Sequence, residues 1–455
     1  MTADLVSQAV ARSASVAEVR VGRSVLGDLA TVFVRHFATK GACIIADENT
    51  WGAAGARARD VLIAAGIPTR THILPASPRP KPTVDLANQL RDVLAQDDAV
   101  PLAVGSGVIN DVVKHAAFDL DRPYLCIATA ASMDGYTSAG APLSDKGFKK
   151  TIQCRPARVV LGDLDIIAAA PREMSGWGYG DLAGKVPAGG DWILADALGI
   201  EPVDDIAWPM VQGPLRGWLS QPAAIAAGDP KAIEGLFTGL TLVGLAMEAH
   251  GSSRPASGAD HQIAHLWEMD DLTLRGERVS HGACVAVGCS AVLRMYDFVL
   301  QQDLARLNPS QIAAAAPDMA AKEAAILHAF GAGEIASRAI EETRAKHLSR
   351  TALEARLARL VQGWPDMRTR LRAHLMPASQ MRADLHAAGA PSDAAEIGVS
   401  RDYLRQAMLN ARFLRSRYTL LDLLDETGLL DAAVAAALPP ATPLAPRTGT
   451  EGVMR

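Results

Sequence analysis

Four side chains could carry chemistry together: Asp181, His261, His265 and His281. A carboxylate with imidazoles is the donor set taken by borderline divalent cations such as Zn2+, Ni2+ or Fe2+. His261 and His265 stand four apart in Ser257-Gly-Ala-Asp-His-Gln-Ile-Ala-His-Leu-Trp-Glu-Met269. On a helix that spacing puts both rings on one face. His281 follows in Ser280-His-Gly-Ala-Cys284, and Asp181 lies far upstream in Gly178-Tyr-Gly-Asp-Leu-Ala-Gly-Lys185, a stretch that reads as a turn-rich lead-in to a helix. Neither part holds a metal alone, so the fold must bring them together. Gln262 stands where the zinc-protease helix His-Glu-x-x-His needs its glutamate, which excludes that chemistry. A histidine pair at helical spacing is by itself more often a surface or core accident than a ligand pair. The setting has to decide.

The elements that must position these groups fall into two kinds. Residues 17–21 alternate apolar and charged, residues 22–37 have helical spacing, and 42–46 form a short apolar run ending at Asp47. A helical pattern follows to residue 65, then a strand over 69–74, a helix over 84–94, an apolar strand over 100–104, a helix over 108–118 and a strand over 123–128. Residues 141–160 read as a hairpin. This alternation predicts an α/β domain with a parallel sheet, covered by helices on both faces. From 164 onward strand signals stop, and helical spacing recurs over 232–250, 259–268, 283–300, 313–330, 335–346, 352–360, 367–374 and 401–424, with prolines at most of the breaks. The expected division is a dinucleotide-binding domain over 1–163, an all-helical metal and substrate domain over 164–437, and a flexible proline-rich tail over 438–455. A metal site built from the second part would face the cleft between the two.

Gly105-Ser-Gly-Val-Ile-Asn-Asp111 is the informative turn of the first part. Glycines after a strand let backbone approach a ligand, and the next helix offers free N–H groups and a positive dipole end to phosphate. The third glycine of a Gly-x-Gly-x-x-Gly fingerprint is missing, because position 110 is Asn. Asp47, closing a strand, is placed to bind a ribose hydroxyl, although a helix N-cap is the plainer role. Thr129-Ala-Ala-Ser-Met-Asp-Gly-Tyr-Thr-Ser138 supplies small hydroxyl residues and one carboxylate, which suit contact with a nucleotide or polyol and would equally make an ordinary turn.

With 455 residues, 49% apolar, there is ample material for sizeable cores in two or three domains. A net charge of −5 gives no footprint for nucleic acid or an anionic membrane surface. The five cysteines are scattered, without Cys-x-x-Cys, as expected of thiols in a reducing compartment. The first 18 residues lack a long apolar run, and the longest such stretch, 235–247, is too short and too interrupted to span a bilayer. A soluble cytoplasmic protein is expected, with no membrane or nucleic-acid partner.

In order and spacing, Gly105–Asp111, Thr129–Ser138, residues 147–150, Gly178–Lys185, 253–269 and His281-Gly282 resemble the sn-glycerol-1-phosphate dehydrogenases, within the dehydroquinate synthase-like and iron-containing alcohol dehydrogenase superfamily. Arg415-Ser-Arg-Tyr-Thr-Leu-Leu-Asp422 resembles that family's closing helix, and the likeness covers residues 17–424. It implies that Asp181, His261 and His281 hold one divalent metal (Zn, Ni or Fe), and that His265 and Asp134 contact substrate, with Asp181 reaching it through the metal. It implies dinucleotide contacts from Asp47, Gly107, Val108, Ile109, Asn110, Asp111, Thr129, Ala130, Ala131, Ser132 and Ser138. Asp260 replaces the family's usual Glu, Ala264 a Ser and Ala183 a Leu; none is an implied ligand.

The chemistry so implied is hydride transfer between a nicotinamide and a carbonyl carbon whose oxygen a Lewis-acidic cation polarises. NAD(H) is expected over NADP(H), because a carboxylate at Asp47 would repel a 2′-phosphate. The expected substrate is a phosphorylated ketone or polyol, dihydroxyacetone phosphate in the first place, and the expected assembly is a homo-oligomer, a dimer or higher. Lys149, Lys150, Lys185 and Arg254 are candidates for the substrate phosphate, with Lys185 first because it follows Asp181 by one helical turn. Alternatives are a polyol dehydrogenase without phosphate preference, a cyclising synthase that regenerates its NAD+, and a non-catalytic nucleotide-binding regulator.

Overall fold

Val100–Gly105 is buried at every position, as the interior strand of a covered parallel sheet must be. In the computed structural model, which describes residues 2–38, 40–145 and 148–438 (backbone alone for 2–4, 148 and 149), this strand lies inside a six-stranded sheet. In chain order the strands are β1 (Glu18–Gly22), β2 (Ala42–Asp47), β3 (Thr69–Leu74), β4 (Val100–Gly105), β5 (Leu125–Ala128), β6 (Gly140–Asp145), β7 (Phe148–Gln153) and β8 (Val159–Asp163). The sheet order is β1-β8-β5-β4-β2-β3, parallel throughout. The chain runs outward from β2 to β3, crosses back over β2 to lay down β4, and continues the other way to β5. Strand order therefore reverses between β2 and β4, and the crevice beyond their carboxyl ends is where open α/β sheets bind ligands.

One expectation fails here. The hairpin is β6 with β7 alone, pairing Gly140 with Gln153 through Asp145 with Phe148. β8 instead inserts between β1 and β5, because all five of its residues are buried and only an interior position satisfies such a run.

The second part is helical apart from a two-residue pairing of Thr273–Leu274 with Glu277–Arg278. The helix expected over 313–330 is two, Pro309–Ala315 and Met319–Phe330, parted where Pro317 holds Ala316 extended. Those expected over 352–360 and 367–374 are one, Arg350–His374, which carries Pro365 inside it. The stretch 401–424 breaks into a helix Arg401–Asn410, a 3-10 turn Ala411–Leu414, an extended Arg415 and a helix Leu420–Glu426. A short helix Thr2–Val10 was not foreseen; just after it, Ser13 Oγ donates to Glu248 Oε2 at 2.5 Å, tying the N-terminus to the helical part. The expected tail lies, from 439 on, outside the described residues.

The sheet's two faces pack differently. Leu26, Phe33, Ile44, Leu102, Ile127 and Leu161 form a core under the helices of the first part. Ile45, Ala103, Cys126 and Val160 face the other way and share one core with Leu182, Trp192, Phe237 and Leu240 of the second. A separate core around Ile263, Trp267, Val287 and Trp364 holds the outer helices. Among the described residues two helices, Pro230–His250 and His281–Val299, are long and apolar enough to cross a bilayer, where none was expected; their most apolar stretches are 72% and 83% buried inside the fold. All five cysteines are buried, and none forms a disulfide.

Candidate active site between sheet and helices

Three helices meet at the metal-binding candidates. Asp181 lies on the helix Arg172–Ala183, His261 and His265 on Ala259–Met269, and His281 opens His281–Val299, whose N-cap Ser280 accepts from Ala283 N–H at 3.3 Å. The glycines before Asp181 do not make a turn-rich lead-in: Gly176, Gly178 and Gly180 sit inside the helix. They are needed for contact. A Cβ on Gly178 would stand 1.9 Å from Ala131 O, and one on Gly282 would stand 2.1 Å from Trp177 O. Backbone thus touches backbone, and Asp181 is carried against both His281 and the 129–138 loop.

The donor atoms of Asp181, His261 and His281 all lie within 4.8 Å of one another. Asp181 Oδ1 and His261 Nε2 are 3.6 Å apart, close to the roughly 3.4 Å between tetrahedral donors placed about 2.05 Å from a zinc ion. Each histidine is held from behind by a carboxylate. His261 Nδ1 pairs with Asp260 Oδ2 at 2.7 Å and His281 Nδ1 with Glu268 Oε1 at 2.7 Å. That arrangement fixes the tautomer and leaves Nε2 for a ligand, as outer-shell carboxylates do in metal sites. Four carboxylates (Asp134, Asp181, Asp260, Glu268) against one ammonium (Lys185) leave a net −3 with neutral imidazoles, a charge that suits a divalent cation. A second set, His265, Glu268 and His281, shares His281 and meets the same 4.8 Å limit, but Glu268 is already spent on that ring.

Lys185 answers one expectation in the negative. It is fully buried, and its Nζ lies 2.7 Å from both Asp181 Oδ1 and Asp134 Oδ2. Its ammonium is a cross-link between Asp181 and the loop, with no face left for a phosphate. Burial pushes the Asp181 carboxyl up, but Lys185 and the imidazoles of His261 and His281 outweigh it and hold the group well below the usual carboxylate range. Burial disfavours the His261 cation, yet Asp260 and Asp181, against Lys185, raise its pKa to about 9. Arg254 is also fully buried, donating to Tyr418 O and Asp191 O at 3.0 Å each beside Glu201. Lys150 pairs with Asp145 at 2.6 Å; the Lys149 side chain lies outside the described residues.

The 129–138 loop joins the halves. Asp134 N–H donates to Asp181 Oδ2 at 3.0 Å, and Thr137 Oγ1 donates to Thr241 O at 2.7 Å. His265 adjoins the triad, its ring stacked on His281 with centroids 5.8 Å apart. On the sheet side, Asp47 ends β2 and Gly105 ends β4, the two strands flanking the reversal of order. N–H groups of Gly107, Val108 and Ile109 precede the first helical bond, Asn110 N–H to Ser106 O, and no side chain caps them among the described residues.

Several other residues of that set are engaged within the fold. Asn110 donates to Gly135 O at 3.2 Å and accepts from Tyr124 at 3.0 Å. Asp111 pairs with Lys114 at 3.3 Å, and Ser138 Oγ lies 3.2 Å from both Gly135 O and Gly140 O, either of which can accept its one hydrogen. Ala130 O accepts from Tyr136, and Ala131 O lies against Gly178. Thr129 and Ser132 are buried at the carboxyl end of β5. Asp47 takes the N-cap role, accepting from Thr50 N–H at 2.8 Å through Oδ1. The contacts of Asp260 and Glu268 with the two imidazoles were not anticipated from sequence. The signal was present for Glu268, because 261, 265 and 268 share one helix face. Asp260, next to His261, had none.

The chain is similar to known proteins over most of its length. A family description, iron-containing alcohol dehydrogenase, matches residues 20–171. Glycerol-1-phosphate dehydrogenase (NAD(P)+) of Bacillus velezensis is 31% identical over 392 residues, 86% of each chain. The Bacillus licheniformis enzyme of the same name is 30% identical over 421 residues, 91% of this chain and 90% of that one. Among solved structures, a probable glycerol dehydrogenase from Sinorhizobium meliloti superposes with a TM-score of 0.59 at 16% identity, over 92% of this chain and 97% of that one. An NADH-dependent butanol dehydrogenase from Thermotoga maritima does so with 0.58 at 14%, over 93% and 97%. At such identities the structures speak for fold alone. The sequence relatives go further: this chain belongs to the glycerol-1-phosphate dehydrogenase family, an oxidoreductase family on the iron-containing alcohol dehydrogenase fold.

Proposed function

We propose that this chain interconverts dihydroxyacetone phosphate and sn-glycerol 1-phosphate with NAD(P)(H), using one divalent cation (Zn, Ni or Fe) at Asp181, His261 and His281. The observation that carries this is the convergence of those three donors, from three helices, in a chain alike over most of its length to named glycerol-1-phosphate dehydrogenases. Bound together, the cation supplies Lewis acidity at the substrate oxygen and the dinucleotide supplies or takes the hydride.

The protein's own part is positional. Asp260 and Glu268 orient the imidazoles, and Lys185 holds Asp181 and Asp134 in one geometry. His265 and Asp134, which flank the triad, contact substrate. Pyrophosphate sits on the Gly107–Ile109 N–H groups at the strand-order reversal, with Thr129 and Ser132 beside it, while the free Asp47 oxygen takes a ribose hydroxyl and favours NAD(H). The enzyme acts in the cytoplasm, in keeping with five buried cysteines outside any disulfide, and as a homo-oligomer. The test is NADH and NADPH oxidation by metal-reconstituted enzyme with dihydroxyacetone phosphate, dihydroxyacetone and glycerol, followed by chiral analysis of the product. Equal kcat/KM for the two ketones would overturn the phosphate-specific reading in favour of a polyol dehydrogenase; regeneration of NAD+ without net oxidation would indicate a cyclising synthase.

A further inference from the structure

With Lys185 and Arg254 spent inside the fold, a phosphorylated substrate needs another cation. A small open cleft lies on the His265 side of the Asp181, His261 and His281 cluster. It is lined by His265 and Met269 of the His261 helix, by Ile335, Arg338 and Ala339 of the helix Glu334–Lys346, and by Leu414 and Arg415. Two guanidiniums therefore share a cleft with the histidine that stacks on His281. They are not equivalent. Arg338 is paired on its own helix, with Glu341 at 3.0 Å and Glu342 at 3.1 Å. Arg415 is half-buried and makes no hydrogen bond or ion pair with any described residue. The one carboxylate acting on it, Glu342, is taken by Arg338 and by Ser416 N–H at 2.7 Å.

The 3-10 turn Ala411–Leu414 ends in an extended Arg415 (φ −146°, ψ 147°), which breaks the helical run at this residue. The next cation, Arg417, is occupied with Ser257 O at 2.8 Å and Ser253 Oγ at 3.0 Å. A guanidinium stripped of part of its water and given no protein partner is costly unless an anion completes it. Its planar fork suits a phosphate bidentately.

We propose that Arg415 is the specificity-determining residue that receives the substrate's phosphate, so that the substrate lies along the His261 helix with its carbonyl at the triad and its phosphate in the Arg338–Arg415 cleft. This rests on the reaction proposed above and names the part of the site that separates a phosphorylated from a free ketone. Two charge-assisted bonds at roughly 1.5 kcal/mol or more each amount to a preference of about a hundredfold.

The experiment compares wild type, Arg415→Gln and Arg415→Lys, all metal-loaded, on dihydroxyacetone phosphate and dihydroxyacetone, with calorimetric binding of glycerol 1-phosphate as a second readout. The expected result is a roughly hundredfold fall in the ratio of the two kcat/KM values for Arg415→Gln, a smaller fall for Arg415→Lys, and weaker glycerol 1-phosphate binding in the same order. Phosphite should stimulate dihydroxyacetone reduction by wild type and lose that effect in Arg415→Gln. If Arg415→Gln does not fold, Arg415→Lys must show the partial loss. An unchanged ratio, or an equal fall for both ketones, overturns the assignment of Arg415. A wild type that does not prefer the phosphorylated ketone overturns the proposed reaction instead, so the two failures are distinct.

Discussion

Replacing Lys185 by Met separates its structural role from the substrate-binding role its sequence position suggested. The ammonium touches Asp181 Oδ1 and Asp134 Oδ2 at 2.7 Å, with no solvent exposure. At an effective dielectric constant of about 20, each contact is worth roughly 6 kcal/mol of Coulomb attraction, offset by the desolvation of three charges. Removing one partner of such a buried set costs about 3–5 kcal/mol, because the remaining charges lose their compensation. That cost should fall mainly on metal-free enzyme. With a dication in the triad, Asp181 regains a counter-charge, and only Asp134 is left uncompensated. If half the cost is recovered, about 1.5–2.5 kcal/mol, metal binding tightens by roughly ten- to sixtyfold. Urea unfolding of chelated and metal-reconstituted protein reads both quantities, and competition with a coloured chelator reads the affinity directly. A Lys185→Met protein as stable as wild type without metal, or one destabilised equally in both forms, would refute the cross-link. The variant should also keep wild type's preference for the phosphorylated ketone; a collapsed preference would return the phosphate to Lys185.

Further outcomes follow from the same geometry. His261→Ala and His281→Ala should lose metal and activity together, whereas His265→Ala should lose activity and keep most of its metal, as metal analysis of the purified variants would show. With its folded pKa raised to about 9, against about 6.5 unfolded, His261 stabilises metal-free protein fully below pH 6.5, and that stability is lost as pH rises through 9. Metal must displace its proton, so apparent affinity should climb by about tenfold per pH unit between those values; a flat profile would refute it. Asp47→Gly should raise the NADPH to NADH ratio of kcat/KM, and a wild type that already prefers NADPH would remove Asp47 from the ribose site.

What was legible in the sequence follows from what is local. The strands β2, β3 and β4 and the helix at 84–94 could be read because apolar period and turn residues act within one element. β8 was misassigned because its partners, β1 and β5, are distant in sequence and its neighbour in sequence is a true hairpin. The helix at 401–424 was overextended because Arg415 interrupts an otherwise helical apolar pattern without a proline or glycine to mark it. Asp181, His261 and His281 could be nominated by type, and the resemblance set His265 apart from them. That Lys185 faces inward could not be read, since the turn that aligns it with Asp181 for a shared substrate aligns it equally for an ion pair.

The contact between the two halves bears on catalysis directly. Hydride transfer needs the carbon on the metal-bearing side and the nicotinamide on the sheet side held at a set distance, and a misplacement of about 1 Å can cost a hundredfold in rate. In this chain the 129–138 loop is what joins the two sides. It leaves the carboxyl end of β5 beside the proposed pyrophosphate site, presses Ala131 O against Gly178, and hands Asp134 N–H to Asp181. Farther along, a Cβ on Gly244 would stand 2.2 Å from Thr137 Oγ1, so the helix Pro230–His250 closes on the loop as tightly as Gly178 does. Asp181 therefore answers to both sides at once: its Oδ1 faces His261 and Lys185, and its Oδ2 is pinned by the loop. Asp181 so held cannot shift without moving that loop. The contact-making glycines of the Asp181 segment, which looked like turn residues, are what lets Asp181, the loop and the His281 helix meet backbone to backbone.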